Sequence, residues 1–201
     1  MPPLSSADRE GYKTGLVNHL LHLFDSDESL GETVASFLIE GYRAGEHLMI
    51  VAKPKHCDAA LAALRREGCF PPDITGTQRL VVLDASDLRA QISRNGAIDP
   101  VRFRKAVPPI VHSLAATGRV RVYGETVELL AEEGDLADAL LLERLWHDLA
   151  AEIPISLLCG YSSAHFITDG GRLALRHICE THTCSLATDE DPLGRYLLAL
   201  A

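Results

Sequence analysis

The sequence predicts one α/β domain of three layers, in which helices cover both faces of a mostly parallel sheet. Three observations support this fold class. Short apolar runs that fit buried strands alternate with longer segments whose apolar residues recur at helical spacing. The 201 residues are enough for one well-buried core. Hydrophobic residues make up 47% and charged residues 23% of the chain, as in ordinary globular proteins.

Five segments are predicted as strands, because each is a short apolar run that ends at polar or turn-forming residues. They are 17–24, 48–52, 79–84, 119–123 and 155–159. Apolar residues at helical spacing predict helices over 28–45, 56–67, 99–117, 125–133, 136–151 and 171–183. Parallel neighbours in a sheet need long crossovers, which these helices supply. The repeating pattern therefore indicates the parallel three-layer fold.

The domain limits follow from where this pattern begins and ends. We expect an N-terminal extension over 1–14, a main domain over 15–185 and a C-terminal tail over 186–201. The tail carries the apolar run Tyr196–Leu200, which either contributes to a contact between chains or completes the core. A homodimer is therefore one assembly to consider.

Charge and composition bear on location and partners. The formal net charge of −9 and the lack of a long basic stretch argue against direct nucleic-acid binding. Residues 1–9 contain no apolar run preceded by basic residues, so we expect a cytoplasmic protein without membrane contact. Five cysteines, an odd number, favour free thiols over a disulfide framework.

Ligands of parallel α/β sheets bind at the carboxyl ends of the strands. The candidate ligand-binding residues at these ends are Asp25, Ser26, Lys53, Asp84, Glu125 and Tyr161. Glu125 follows a strand and a glycine, close to where a nucleotide hydrolase carries its metal-binding or water-activating acid. The alternative is that Glu125 only stabilises the N-terminus of a helix.

The first strand and helix have the layout of a phosphate loop, whose pattern is G-x-x-x-x-G-K-[ST]. The aligned segment is Ser26–Thr33, in which Gly31 and Thr33 are in register. Glu32 stands where a lysine should neutralise the phosphates, so ATP with Mg²⁺ is disfavoured as a cofactor. The acids of this segment are equally explained as groups that cap a helix N-terminus. We predict no catalytic residues.

Four potential metal ligands lie within eight residues, and Cys159 and His165 are candidates to approach them in space. They are His177, Cys179, His182 and Cys184. The two histidines fit the H-x3-5-H spacing of zinc sites, but residues 177 and 179 point to different faces of a continuous helix. The alternative is that Cys179 packs in the core while the histidines face solvent.

Several segments together resemble the methanogen/methylotroph sensory (MEDS) domain family. They are His19–Phe24, Phe37–Glu46, Leu83–Ala85, Val120–Glu125 and Leu158–Tyr161. The resemblance implies a degenerate RecA-like or KaiC-like fold that senses small molecules such as hydrocarbon derivatives. Family members occur alone or fused to histidine kinases and DNA-binding domains, and this chain has no room for such an output module.

The leading interpretation is a domain that senses a small molecule and relays the signal without ATP hydrolysis. Its partner would be a separate protein, such as a histidine kinase or a transcription regulator. One alternative is an ATP-binding or weakly hydrolysing enzyme derived from a phosphate-loop protein. The other is a pure protein-interaction module with an empty pocket.

Overall fold

The computed structural model describes residues 19–69 and 79–201. The strands are β1 (His19–Phe24), β2 (His47–Ala52), β3 (Leu80–Asp84), β4 (Ser93–Arg94), β5 (Ala97–Ile98), β6 (Val120–Gly124), β7 (Ile155–Ser162) and β8 (Cys184–Leu186). The helices are α1 (Asp27–Arg43), α2 (Pro54–Arg66), α3 (Ala85–Ile92), α4 (Pro100–Ala115), α5 (Thr126–Glu132), α6 (Leu136–Glu152), α7 (Asp169–Thr181) and α8 (Pro192–Leu200). A short 3-10 helix, Ser163–Phe166, joins β7 to α7.

Six strands form one parallel sheet in the order β3-β2-β6-β7-β1-β8. The two-residue strands β4 and β5 form a separate antiparallel hairpin. Strand β1 lies between β7 and β8, so its neighbours both come from the C-terminal part of the chain. All six parallel strands end at one edge, which we call the carboxyl edge. The predicted parallel sheet is confirmed.

Helices cover both faces of this sheet, as the fold class requires. On one face, α1 and α2 pack over side chains of β1, β2, β6 and β7. On the other face, a larger core contains side chains from α3 to α8 and from the same four strands. Strand β2 is buried along its whole length because it meets a helical layer on each side. The three-layer α/β/α architecture is thus confirmed.

The start of α1 follows from its sequence. Ser26 has an extended backbone, with φ −145° and ψ 155°, and its side chain accepts a hydrogen bond from the Ser29 N–H. Asp27 and Glu28 occupy the first turn, where negative charge suits the helix dipole. Beyond the helix, Gly45 has φ +82°, a conformation that favours glycine. This helix was predicted to within two residues at each end.

Six short elements were not predicted: α3, the hairpin strands β4 and β5, the 3-10 helix, β8 and α8. Helix α3 follows β3 without a loop, and the Asp84 carboxylate accepts hydrogen bonds from the N–H groups of Ser86 and Asp87 at its start. Strand β8 has three residues and pairs with β1. Strand β1 was predicted from residue 17, but residues 17 and 18 lie outside the described part of the chain.

The C-terminal tail folds back onto the domain. Leu197 of α8 is 2% exposed and belongs to the larger core. The Asp25 carboxylate accepts hydrogen bonds from the N–H groups of Leu193 and Gly194, at 2.8 and 3.1 Å, and so anchors the first turn of α8 to the end of β1. Tyr196 points outward. The tail therefore contributes to the core.

No helix within the described ranges, 19–69 and 79–201, is both long enough and apolar enough to cross a membrane.

Candidate functional site

The carboxyl edge carries five of the six candidate ligand-binding residues. Asp25 and Ser26 follow β1, Lys53 follows β2, Asp84 ends β3, and Glu125 follows β6. Their placement at one edge follows from the parallel sheet. The sixth candidate, Tyr161, lies inside β7 and its side chain belongs to the core on the α6 face. It does not share a site with the other five.

Three of these residues bond to backbone N–H groups at helix starts. Ser26 caps α1, Asp84 caps α3, and Asp25 accepts hydrogen bonds from the first turn of α8. Each contact stabilises a helix N-terminus, whose first N–H groups have no partner within the helix. These contacts agree with the capping interpretation of the acids and hydroxyls after β1.

Glu125 lies at this edge, at the start of α5. It is fully buried, and one carboxylate oxygen accepts a hydrogen bond of 2.7 Å from the Lys53 N–H. The other oxygen accepts a hydrogen bond from Nδ1 of His56. Because the carboxylate can only accept, Nδ1 of His56 carries the proton. Its other ring nitrogen, Nε2, is buried and has no hydrogen-bond partner, although the Asp27 carboxylate is 3.5 Å away.

Tyr123 completes this site from β6. Its hydroxyl is buried and makes no hydrogen bond of normal geometry. Burial raises its pKa well above the usual value, and the nearby Glu125 carboxylate raises it further. A small cavity of about 20 Å³ separates α1 and α2 beside the sheet. Its lining includes Tyr123, His56, Asp27, Leu30 and Gly31. We call it the edge cavity.

Cations near the edge cavity are paired with carboxylates. The Lys53 ammonium contacts Glu132, and the Lys55 ammonium lies 2.6 Å from Asp27. The hydrogen bond from Lys55 lowers the pKa of Asp27, against the smaller opposing effect of burial. The two lysines that follow β2 thus already have negative partners.

The segment aligned with a phosphate loop is helical. Only Asp25 and Ser26 separate β1 from α1, and the Leu30 N–H already bonds to the Ser26 carbonyl at 3.1 Å. A phosphate loop instead directs its backbone N–H groups at the ligand. Glu32, the residue in the lysine position, is exposed on the second turn of α1.

A second buried carboxylate lies close to the end of β7. Glu128 of α5 accepts hydrogen bonds from the Ser162 N–H at 2.9 Å and from His165 at 3.0 Å. The hydrogen bond to Glu128 raises the pKa of His165, although partial burial opposes the shift.

A buried group of four side chains lies on the opposite face of the sheet. His19 comes from β1, Glu143 from α6, Cys159 from β7, and His182 from the residue after α7. One potential ligand atom of each lies within 4.8 Å of those of the other three. We call these four residues the histidine–cysteine–glutamate cluster. Tyr161 borders it, since its hydroxyl donates a 2.9 Å hydrogen bond to Glu143.

The surroundings of this cluster shift its pKa values strongly. Burial alone would raise the pKa of Glu143, but the attraction of His182 and hydrogen bonding with His19 outweigh it and lower the value to about 2. Burial lowers the pKa of His182 to about 4. Burial also raises the pKa values of the Cys159 thiol and the Tyr161 hydroxyl.

The fold separates three of the four predicted metal ligands from this cluster. His177 is exposed and contacts Glu180 on the same helix. Cys179 is half-buried and packs against the larger core, and Cys184 lies on β8. Only His182 enters the cluster, because α7 ends at Thr181 and the chain turns there. Within the described ranges, the cluster is the only such group of potential ligands.

Comparison with known proteins places this architecture in a family. The family model of the MEthanogen/methylotroph, DcmR Sensory domain (MEDS) matches residues 18–183, which is most of the chain. The chain belongs to this family. The match extends from β1 to the residue before β8, so β8 and α8 lie beyond the matched part of this MEDS domain. No curated protein matches the chain.

Family membership gives the protein a sensory role, which the sequence had predicted. The MEDS match includes both the edge cavity and the histidine–cysteine–glutamate cluster. Sequence analysis identified Glu125 at the first site and His182 and Cys159 at the second. It missed His56, Tyr123, His19 and Glu143, none of which has a local motif. Each is a polar residue next to apolar positions that are buried. Such a residue indicates a functional site only when the side chain that it contacts is also known.

Proposed function

We propose that this MEDS domain senses a small polar molecule in the edge cavity and relays the signal to a separate protein partner without hydrolysing ATP. The observation that carries the proposal is that two residues lining the cavity, Tyr123 and His56, each have a buried polar atom, Oη and Nε2, without a hydrogen bond of normal geometry. The Asp27 carboxylate lies 3.5 Å from His56 Nε2. Buried polar groups in native proteins are nearly always paired, so two such atoms on residues of one cavity support the binding of a ligand there.

The chemistry of these two atoms defines the ligand. When Nδ1 of His56 donates to Glu125 and the ring is neutral, Nε2 is an acceptor. The Tyr123 hydroxyl supplies a donor. A ligand that donates to one atom and accepts from the other carries a hydroxyl or amine group. A cavity of about 20 Å³ limits its size to very few non-hydrogen atoms, since a water molecule needs roughly 10–15 Å³ measured in this way. Methanol fits both conditions, whereas methylamine is protonated near neutral pH and can only donate.

The position of the cavity provides a route for the signal. Tyr123 and Glu125 belong to the sheet side, Asp27 begins α1, and His56 lies in the first turn of α2. A ligand that bonds to His56 and Tyr123 therefore connects α2 to the sheet. A change in how α1 and α2 rest on the sheet would reach the outer surface of that layer, where a histidine kinase or transcription regulator could read it.

Three features support a function without ATP hydrolysis. The phosphate-loop segment is helical from Asp27, Glu32 replaces the lysine, and the nearby Lys53 and Lys55 are paired with carboxylates. A polyphosphate at this edge would meet negative charges without a compensating cation.

Ligand binding is tested by NMR titration of the His56 ring signals with methanol, methylamine and dichloromethane. The best small ligands gain about 1.5 kcal/mol per non-hydrogen atom, so two atoms give a Kd on the order of 10 mM. The titration must therefore reach about 100 mM. We expect saturable shifts with methanol, and weaker or no shifts with methylamine, which cannot accept from the Tyr123 hydroxyl. Tyr123→Phe should weaken this binding roughly tenfold, because it removes one hydrogen bond of about 1.4 kcal/mol.

Tyr196→Phe is the matched control, because its hydroxyl lies on an exposed side chain of α8. It should bind like the wild type. Tyr123→Phe should keep the wild-type free energy of unfolding, since the lost hydroxyl has no partner in the empty site. Unchanged His56 signals with all three compounds would show that the proposal is wrong. ATP-dependent shifts at the start of α1 would favour the nucleotide-binding alternative.

A further inference from the structure

We propose that the histidine–cysteine–glutamate cluster binds one divalent transition-metal ion of the zinc class in tetrahedral geometry. The four ligands are His19 Nε2, Glu143 Oε2, Cys159 Sγ and His182 Nε2. This proposal is independent of the edge cavity, which lies on the other face of the sheet.

The spacing of the ligand atoms fits a tetrahedron around zinc. Bond lengths of about 2.0 Å to nitrogen or oxygen and about 2.3 Å to sulfur give edges of roughly 3.3–3.8 Å. Glu143 Oε2 lies 3.3 Å from His19 Nε2, 3.5 Å from His182 Nε2 and 3.5 Å from Cys159 Sγ. The Cys159 sulfur lies 3.5 Å from His19 Nε2. Four of the six edges therefore already have the required length.

Backbone carbonyls orient both imidazole rings for metal binding. His19 Nδ1 lies 3.0 Å from the Thr181 carbonyl, and His182 Nδ1 lies 2.7 Å from the Ile178 carbonyl. A carbonyl only accepts, so each Nδ1 carries a proton, and in the neutral form of each ring Nε2 presents its lone pair to the cluster. Metal-binding histidines are typically held by such a bond from the other ring nitrogen.

The carboxylate and the remaining nitrogen support the same assignment. The Tyr161 hydroxyl bonds to Oε1 of Glu143, which leaves Oε2 facing the other ligands. His182 Nε2 is a buried atom of a fully buried side chain and has no hydrogen-bond partner. Two imidazole lone pairs and a carboxylate thus converge with only the thiol proton to share. A cation at the centre satisfies all four groups.

The donor set selects the metal. Thiolate and imidazole ligands favour zinc and related transition metals, whereas magnesium and calcium prefer oxygen ligands. On binding, the Cys159 thiol releases its proton to solvent and becomes a thiolate. One thiolate and one carboxylate then balance the charge of a divalent ion. With all four positions filled by protein atoms, the site is closed, as in structural zinc sites.

The ligands come from four separate elements, and this defines what the metal does. It joins β1, α6, β7 and the turn after α7. The exposed ring of His147 lies 5.9 Å from the His19 ring and marks the side of the cluster closest to the surface. Bound metal would therefore fix the C-terminal end of α7 against the sheet.

The test uses the full, tag-free chain, stripped of metal with a chelator and reconstituted with Co²⁺ or Zn²⁺. We expect one equivalent of metal by elemental analysis and a higher Tm than for the stripped protein. The cobalt form should show a thiolate-to-metal charge-transfer band and the intense visible bands of tetrahedral Co²⁺. Less than half an equivalent of bound metal, or the weak visible bands of octahedral Co²⁺, would overturn the proposal.

Two cysteine variants locate the site. Cys159→Ser should abolish the charge-transfer band, whereas Cys184→Ser, outside the cluster, should leave the spectrum unchanged. Circular dichroism checks that each variant is folded. If Cys159→Ser does not fold, the wild-type cobalt spectrum together with Cys179→Ser and Cys184→Ser decides the question. Loss of the band in either of these two variants would place the thiolate elsewhere and overturn the assignment.

Discussion

Gly41 shows how one position in α1 is restricted by the sheet beneath it. A Cβ atom at residue 41 would lie 2.6 Å from Cδ and 2.7 Å from Nε of Arg121. The Arg121 side chain cannot easily move, because it bonds to Glu46 at 2.6 Å and to the Phe37 carbonyl at 2.8 Å. The absence of a side chain at residue 41 therefore makes room for a buried ion pair.

We predict that Gly41→Ala lowers the free energy of unfolding by about 1–3 kcal/mol, the usual cost of overpacking a core. Gly31→Ala is the control in the same helix, since no atom lies within 4 Å of its added Cβ. That change should stabilise the protein by roughly 0.5–1 kcal/mol, because alanine is the better helix former. Urea denaturation measures both values. Equal stability of the two variants would contradict the prediction.

His165 is a residue whose charge depends on pH near neutrality. Its hydrogen bond to Glu128 raises its pKa above the usual 6.5. Because the folded-state pKa is the higher one, the protonated ring stabilises the fold fully below about pH 6.5. This contribution is lost as the pH rises through the folded-state pKa.

Glu128→Gln should lower the pKa of His165 to 6.5 or below, because burial then acts without the carboxylate. NMR titration of the His165 ring protons measures this value directly. Glu133→Gln is the control, since that exposed carboxylate pairs with Arg89. A wild-type pKa of 6.5 or less would contradict the assigned ion pair.

At the scale of elements, Asp191 joins the C-terminal segment to the first strand and helix. Its side chain is buried and accepts hydrogen bonds from Ser29 at 2.6 Å, from Thr188 and from the Asp25 N–H, and it contacts His22 at 3.2 Å. Burial alone would raise the pKa of Asp191, but hydrogen bonds from these side chains hold it well below its usual range.

Asp191→Ala should therefore lower the free energy of unfolding by roughly 3 kcal/mol, because several buried donors lose their shared acceptor. Asp189→Ala removes an exposed carboxylate that pairs with Arg195, and it should change stability by less than about 0.5 kcal/mol. Thermal and urea unfolding of both variants give the comparison. Equally small changes in the free energy of unfolding for the two variants would contradict this prediction.

The same carboxylate has a defined effect on pH dependence. Its pKa is lower in the folded chain than the usual 3.8, so it stabilises the fold above that pH. The stabilisation is lost as the pH falls through the folded-state value. In Asp191→Ala, the free energy of unfolding should therefore fall less steeply as the pH is lowered below about 3.8.

At the scale of the whole molecule, the two candidate sites lie on opposite faces of one sheet. The edge cavity lies under α1 and α2, and the histidine–cysteine–glutamate cluster lies under α6 and α7. Strand β1 has side chains on both sides, because successive side chains of a strand point to opposite faces. His19 belongs to the cluster, and Leu20 packs in the core under α1 and α2. The sheet thus separates the proposed ligand pocket from the proposed metal site within one sensory domain.

The sequence alone determined the fold class and most of the elements. Continuous apolar runs such as β2 are typical of strands buried on both faces, and helical spacing located α1 to within two residues. The sequence also indicated the sensory family and the carboxyl-edge position of Glu125. These features depend on local patterns of apolar residues or on the order of short motifs along the chain.

Tertiary structure alone decided how the functional groups assemble. His56 meets Glu125 across 69 positions of sequence, and His19 meets Cys159 across 140. The predicted metal group around His177 failed to assemble because α7 ends at Thr181, which turns His182 toward β1. Local sequence specifies a strand or a helix, but a site depends on which strands become neighbours. That choice follows from packing over the whole sheet, which no short pattern records.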